Sequence, residues 1–319
     1  MMLKKIKKKF PLQYNICYEN YIGLTKNPRW LLMRKVARFG IGRSFRDLLH
    51  KKNKDFYQKF LNESSSFFPD IDVDLVVKNL KQNGFYLGIN LPEEIVKEIV
   101  NFADYHACYG DYKPHLGFFY PQKELAEKHY SQTFKLAGYF NTALHCPAIK
   151  KLQNDPKLLA IAAQYLECKP VHLSNQLWWS FAGETTKFEK MKTFQMFHYD
   201  LDDYRFLKFF FYLTDVDVSG GPHVCVKGSH KQKKFSYLLL PKCESDEEII
   251  NYYQPNSLVT IYGKAGFGFA EDTFCFHKGT TPINKDRLML QVEFGTIDYN
   301  MQHDTRDPLI LRTMINSQA

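Results

Sequence analysis

The 319-residue chain has no apolar run near the ~18 residues that a membrane-crossing helix needs. Its first residues, MMLKKIKKKFPLQYN, carry basic charge but neither an apolar stretch nor a small-residue cleavage site. A transmembrane helix and a secretory signal are therefore not expected. Cys-x-x-Cys is absent too: Cys17, Cys108, Cys146, Cys168, Cys225, Cys243 and Cys275 are odd in number and scattered. This spacing argues against a disulfide framework or a zinc ribbon and points to a reducing cytoplasm, with the protein soluble or held at the membrane periphery. There is no internal repeat, and no low-complexity tract beyond Lys4–Lys9 and Ser64–Ser66. Acidic residues are scarce at one end. Residues 1–60 hold 16 Lys/Arg but only Glu19, Asp47 and Asp55, a charge of +13; with a total of +9, the rest of the chain carries −4. A basic head on a near-neutral body suits an anionic surface, either membrane headgroups or a phosphorylated partner, or is simply a solvated leader. Nucleic acid is not expected as a partner, because the excess charge is terminal and not interleaved with aromatics across a folded face.

Hydrophobic content of 45% and charged content of 24% are those of a globular protein, and aromatic residues reach 16%. The chain reads as a basic, mainly helical extension over residues 1–65, followed by one domain over residues 66–319. Within the extension, PRWLLMRKVARFGIGRSFRDLLHKK reads as one or two short helices, interrupted at Gly40 and Gly42, that either lie in a membrane interface or pack on their own domain. Residues 66–170 read as a helical lead-in. A helix precedes the break at Asn83-Gly84, another follows Pro92 with two glutamates in its first turn, and a third starts at Asp155 with Pro156 in the first helical position. Residues 171–300 change to short runs such as VHLSNQLWWSF, KTFQMFHYD, LKFFFYLTDV, HVCVKGSH, SLVTIYG, FGFAED and RLMLQVEFG, separated by Gly, Pro, Asp and Asn. Many short strands with turn signals between them predict a sandwich or barrel. A double-stranded β-helix, the cupin-like jelly-roll, resolves the edge problem for that many strands and gives an α+β fold. Residues 301–319 carry no legible element.

Three signals of chemistry follow in order. His198-Tyr199-Asp200 ends an apolar run; in a strand, residues i and i+2 share a face, so imidazole and carboxylate can hold one ion. His277, closing TFCF, supplies a third donor, and two His with one carboxylate on one face leave open positions on iron(II). Arg287 follows ten residues later. A hairpin through Thr280–Asn284 would return it beside His277, its guanidinium placed to take a carboxylate in a bidentate pair. Each signal alone is ordinary; their order and spacing make the set informative. Tyr199 should point away from the metal, at most one of Trp178 and Trp179 should face a pocket, and Gly228-Ser229-His230 should shape a turn, with His223 at its other flank. Asp202, Asp203, Tyr204 and Arg205 are candidate substrate contacts.

These stretches resemble the phytanoyl-CoA dioxygenase family of Fe(II)/2-oxoglutarate oxygenases, over about residues 75–297. The resemblance is carried by VVKNLKQNGFYLGINLPEEIVKEIVNFA, NDPKLLAIAAQYLECKPVHL, FHYD, SGGPHVCVKGSHK and EDTFCFHKGTTPINKDRLMLQVEF. It implies that His198, Asp200 and His277 are catalytic iron ligands, that Arg287 anchors 2-oxoglutarate, and that Gln176 and Phe210 help hold that co-substrate. Gly279 departs from the pattern, standing where some members have a serine that touches 2-oxoglutarate. Asp200 occupies the position that related halogenases give up to halide, so the resemblance favours hydroxylation. The expected reaction is oxidation of a small-molecule or lipid-, CoA- or phosphate-linked substrate with O2, releasing succinate and CO2. Two other readings are a non-catalytic jelly-roll that binds a ligand or glycan, and a membrane-surface protein using residues 1–60. Neither substrate nor oligomeric state is legible.

Overall fold

In a computed structural model, the structure describes Tyr21 and residues 24–49, 65–193, 195–239 and 243–314. Most of the basic extension, including Lys4–Lys9 and Cys17, lies outside them. The segment from Pro28 forms two helices, Pro28–Val36 and Gly40–Leu49, with the break before Gly40. Trp30, Met33 and Ala37 are buried in one cluster with Leu173, Phe197, Tyr199 and Phe276. The apolar face of the first helix is thus covered by its own fold. No helix among the described residues is long and apolar enough to cross a membrane.

The lead-in helices form where capping chemistry places them. Asp72 accepts from Leu75 N and starts Val73–Asn83, which Gly84 ends at φ 90°, a conformation cheap only for glycine. Asp155 starts Pro156–Leu166 by accepting from the amides of Lys157 and Leu158. Glu93–Tyr105 follows Pro92 as expected. The region is less purely helical than its sequence suggests. Three strands, β2 (Cys108–Gly110), β3 (Gly117–Phe118) and β4 (Leu136–Gly138), are too short to show a period of two, yet they widen the large sheet.

The core is two antiparallel sheets. The large one runs β1 (Phe85–Leu87), β9 (Gly268–Glu271), β6 (Phe206–Tyr212), β11 (Arg287–Gly295), β5 (Val171–Ser180), β4, β2, β3. The small one runs β10 (His277–Gly279), β7 (His223–Val226), β8 (Leu258–Ile261). This is the α+β, jelly-roll arrangement expected. On its outer face the large sheet packs against helix Pro156–Leu166, through Leu158, Ile161 and Ala162 with Leu207, Phe209, Leu290 and Val292. The alternate residues on β5, β6 and β11 then turn toward the space between the sheets.

Three local expectations are corrected. The described residues of KTFQMFHYD form no strand: Thr186 and Glu189 form a reciprocal capping box that opens helix Lys187–Lys192, and among those residues only Phe197 and His198 make bridge pairs. TFCF is not a strand either. Phe274 N and Cys275 N turn back onto Asp272, Phe276 N donates to Ser229 Oγ, and β10 begins, not ends, at His277. Finally, Thr280–Asn284 does not fold a hairpin. Thr280 and Ile283 donate to Pro222 O and Ser219 O, and the chain crosses to the other sheet, where β11 lies between β5 and β6. In the tail, Pro308–Ile310 forms a single 3-10 turn and Thr313 pairs with Gly117.

Candidate metal centre

His198 and His277 face each other across a two-residue antiparallel bridge. His198 N donates to His277 O at 3.0 Å, and His277 N donates back to His198 O at 2.9 Å. Opposed residues of such a pair project to the same side, and the imidazole centroids lie 4.3 Å apart. Each ring is fixed in the same way. His198 Nδ1 lies 2.9 Å from Met196 O and His277 Nδ1 lies 3.0 Å from Cys275 O. A carbonyl can only accept, so Nδ1 carries the hydrogen and Nε2 keeps its lone pair. Both Nε2 atoms point at Asp200: His198 Nε2 is 3.9 Å from Oδ1, and His277 Nε2 is 3.6 Å from Oδ2. Ligand-capable atoms of His198, Asp200 and His277 all lie within 4.8 Å of one another. No other group of three such residues does so among the described residues.

The charges suit a cation. Burial pushes His277 down to about 4, helped by its neighbour His198, so its imidazole is neutral at neutral pH. Burial works to raise Asp200, but Lys208, His277 and His198 outweigh it and hold the carboxyl well below the usual carboxylate range. Lys208, on β6, is 6% exposed; its Nζ donates to Asp200 Oδ2 and Asp202 Oδ2, both at 2.8 Å. It also stands 3.8 Å from Glu293, an acid that burial pushes well above its ordinary value against the pull of Lys208, and that accepts from Ser174 Oγ.

Arg287 enters from the large sheet, 5% exposed, donating to Ser180 Oγ at 3.0 Å and to Gly221 O. Among the described residues its Nε has no acceptor. Strand register places Gln176, Gln291, Phe210 and Phe269 in one row of the same inner face, and the buried Gln291 Nε2 likewise has no acceptor among the described residues. Gln176 and Phe210 are thus cross-strand neighbours of Gln291, which completes their row. Gly279 faces Arg287: a Cβ there would come 3.3 Å from Arg287 Nη2.

The remaining expectations divide. Tyr199 points away and donates to Tyr237 O. Trp178 shares the inner parity of Ser180, while Trp179 is buried on the other face, stacked on Tyr120 at 3.8 Å. Ser229 shapes its turn, donating to Val226 O and accepting from Phe276 N. Asp203 accepts from Thr296 and from the Tyr204 and Ile297 amides, and Arg205 faces Glu167. Asp202 is held by Lys208 and Gln302.

Lys208, Glu293, Gln291 and Glu271 escaped the sequence reading. A lysine and a glutamate at alternate positions inside the phenylalanine-rich LKFFFYL and the apolar RLMLQVEF were the available signals. A charge inside a doubly covered strand needs a buried partner. His223 is not merely at a turn flank. It lies on β7, its ring stacked on His277 with centroids 5.5 Å apart, and its Nε2 is 2.7 Å from Glu271 Oε2. The distance resembles an ion pair, but burial lowers His223 to about 3 and raises Glu271 to about 8. Burial thus opposes the charged form of both partners.

No family model matches the chain, and no curated protein matches it. Solved structures do. The non-heme alpha ketoglutarate dependent epimerase SnoN of nogalamycin biosynthesis superposes with a TM-score of 0.46 at 13% identity, over 71% of this chain and 82% of that one. HygX from Streptomyces hygroscopicus, with nickel, 2-oxoglutarate and hygromycin B bound, gives 0.47 at 14%, over 69% and 86%. The carbocyclase SnoK gives 0.45 at 14%, over 73% and 87%. At these identities and scores the matches describe similarity alone.

Proposed function

We propose that the chain is an Fe(II)- and 2-oxoglutarate-dependent oxygenase, with His198, Asp200 and His277 as the metal ligands and Arg287 as the co-substrate anchor. One observation carries the reading. Two imidazoles locked with Nε2 outward converge on an ionised carboxylate, while buried donors without acceptors wait in the same interior. Arg287 Nε and Gln291 Nε2 fit a dicarboxylate, because an acceptor-rich ligand would satisfy donors whose burial is otherwise costly. The His2Asp set fits iron(II), which takes mixed imidazole and carboxylate ligands and keeps positions open.

When bound, iron and 2-oxoglutarate supply the O2 chemistry that oxidises a substrate C–H bond, with succinate and CO2 as co-products. The chain's part is placement. His198 and His277 hold their tautomers through backbone carbonyls. Lys208 fixes Asp200 Oδ2 and leaves Oδ1 turned to His198. Arg287, braced by Ser180 and Gly221, offers its remaining edge to the distal carboxylate, with Gln176 and Phe210 along its path. The presence of Asp200 favours hydroxylation over halogenation, and the substrate is a small molecule.

The test is succinate release by the full chain with Fe(II), 2-oxoglutarate and O2, alone and with candidate substrates, against Asp200→Ala. Equal turnover in both proteins would overturn the reading, as would no bound Fe(II) after anaerobic loading.

A further inference from the structure

His198, Asp200 and His277 lie on two segments, and each segment places an aromatic residue beside its ligands. Tyr199 stands between His198 and Asp200, and Phe276 directly precedes His277. The two rings share one buried cluster and meet edge to face, with centroids 5.4 Å apart at 88°. Phe274 closes on Tyr199 at 5.2 Å and 73°. One side chain reaches all three rings. Lys233 Nζ lies 4.7 Å from the centroid of Tyr199, 4.5 Å from that of Phe274 and 4.4 Å from that of Phe276. A cation within about 6 Å of a ring centroid is attracted to the ring face, most strongly where water is displaced. Lys233 itself comes from a third segment, the turn after β7, and is tied there. Its Nζ donates to Ser229 O at 2.9 Å, and Ser229 Oγ accepts from Phe276 N. A second cation, Arg43 from helix Gly40–Leu49, lies 3.8 Å from the Phe274 centroid.

We propose that Lys233 is a positioning residue for the metal centre, clasping the two ligand-bearing segments through the aromatic residues beside the ligands. This rests on the metal-centre reading above and adds to it a brace that touches no ligand. Backbone bonds join the two segments at His198 and His277, and from Asp200 N to Thr273 O. The cage adds a side-chain tie between the same segments. A cation shared by rings on both resists sliding of one past the other, so the carboxylate and the two imidazoles keep one relative placement before metal arrives.

The experiment titrates Co(II) anaerobically into the full metal-free chain, followed by calorimetry and by visible absorption, at about pH 6. Burial pushes Lys233 down to about 7, so the ammonium is charged at that pH. Lys233→Met keeps the stem and removes the cation. Lys233→Gln also removes the cation but keeps an N–H donor for Ser229 O. Lys233→Arg keeps a cation that stacks on aromatic faces. Thermal melts of the metal-free proteins confirm folding, and if Lys233→Met does not fold, Lys233→Gln decides the same question. Loss of a group that orients ligands without binding the metal costs about 10–100-fold in metal affinity. The expected result is a loss of about tenfold in Lys233→Met and Lys233→Gln, with shifted Co(II) absorption bands, and recovery of most of it in Lys233→Arg. Wild-type affinity and bands in the folded Met and Gln variants overturn the proposal, even if their melting temperatures fall, because the lysine then only packs. A loss in Lys233→Met alone overturns it too, since the bond to Ser229 is then the contact that matters. If the wild type itself takes up no Co(II), the metal-centre reading fails, and this proposal fails with it.

Discussion

Lys208 Nζ lies 2.8 Å from Asp200 Oδ2 and is almost fully buried. One cation on the large sheet thus fixes both the charge and the rotamer of the carboxylate that joins the two histidines. It also draws in Asp202, so that two acids in the segment after the first ligand depend on it.

Replacing Lys208 by Met therefore strands buried negative charge. Breaking a buried pair by removing one partner costs roughly 3–5 kcal/mol. Denaturant unfolding of the metal-free protein should show a loss of that size. A change below about 1 kcal/mol would mean that the acids find other partners.

Asp200→Ala and His277→Ala each remove a ligand. Loss of a residue that only supports a ligand costs about 10–100-fold in metal affinity, and loss of a ligand should exceed that. Fe(II) or Co(II) titration under anaerobic conditions reads the effect directly. Wild-type affinity in either variant would remove that residue from the centre.

Arg287→Lys keeps the charge but not the planar fork. Because Ser180 and Gly221 occupy two of the guanidinium nitrogens, a lysine cannot keep both braces and still reach the ligand. The apparent KM for 2-oxoglutarate should rise about 10–100-fold, with metal binding unaffected. A KM that stays at the wild-type value would place the co-substrate elsewhere.

The buried Glu271 makes stability pH-dependent. Its folded value is raised to about 8 from an ordinary 4.5, so the native state holds a proton that the unfolded chain releases. That contribution is complete below 4.5 and is lost as pH rises toward 8. Glu271→Gln lacks the proton and the loss. Relative to wild type, the metal-free variant should gain stability as pH rises from 4.5 to 8, by at most about 1.4 kcal/mol per pH unit. Parallel stability curves for the two proteins would show that Glu271 ionises normally.

Asp155 caps helix Pro156–Leu166 and also accepts from Ser66 Oγ and Phe67 N. Asp155→Ala should cost about 2–3 kcal/mol, a cap plus at least one stranded amide. Urea unfolding checks this, and a loss near zero would mean that the segment at Ser66 does not depend on the cap.

Local chemistry determined much of this protein from sequence alone. Asp72, Gly84 and Asp155 set helix ends, and the runs in residues 171–300 announced a two-sheet core. Those signals act over a few residues, so a linear reading reaches them. What only the tertiary structure decided is which distant residues meet. His277 stands opposite His198 through a bridge that no periodicity marks, after a turn held by Ser229 and Asp272. Arg287 reaches the interior from the opposite sheet, not from a hairpin, because β11 finds its partners in β5 and β6. Lys208, Glu271, Glu293 and Gln291 look like isolated polar residues in apolar strands until the sheets close. Their charges and hydrogen bonds are then set by burial and by partners far along the chain, neither of which the order of residues contains.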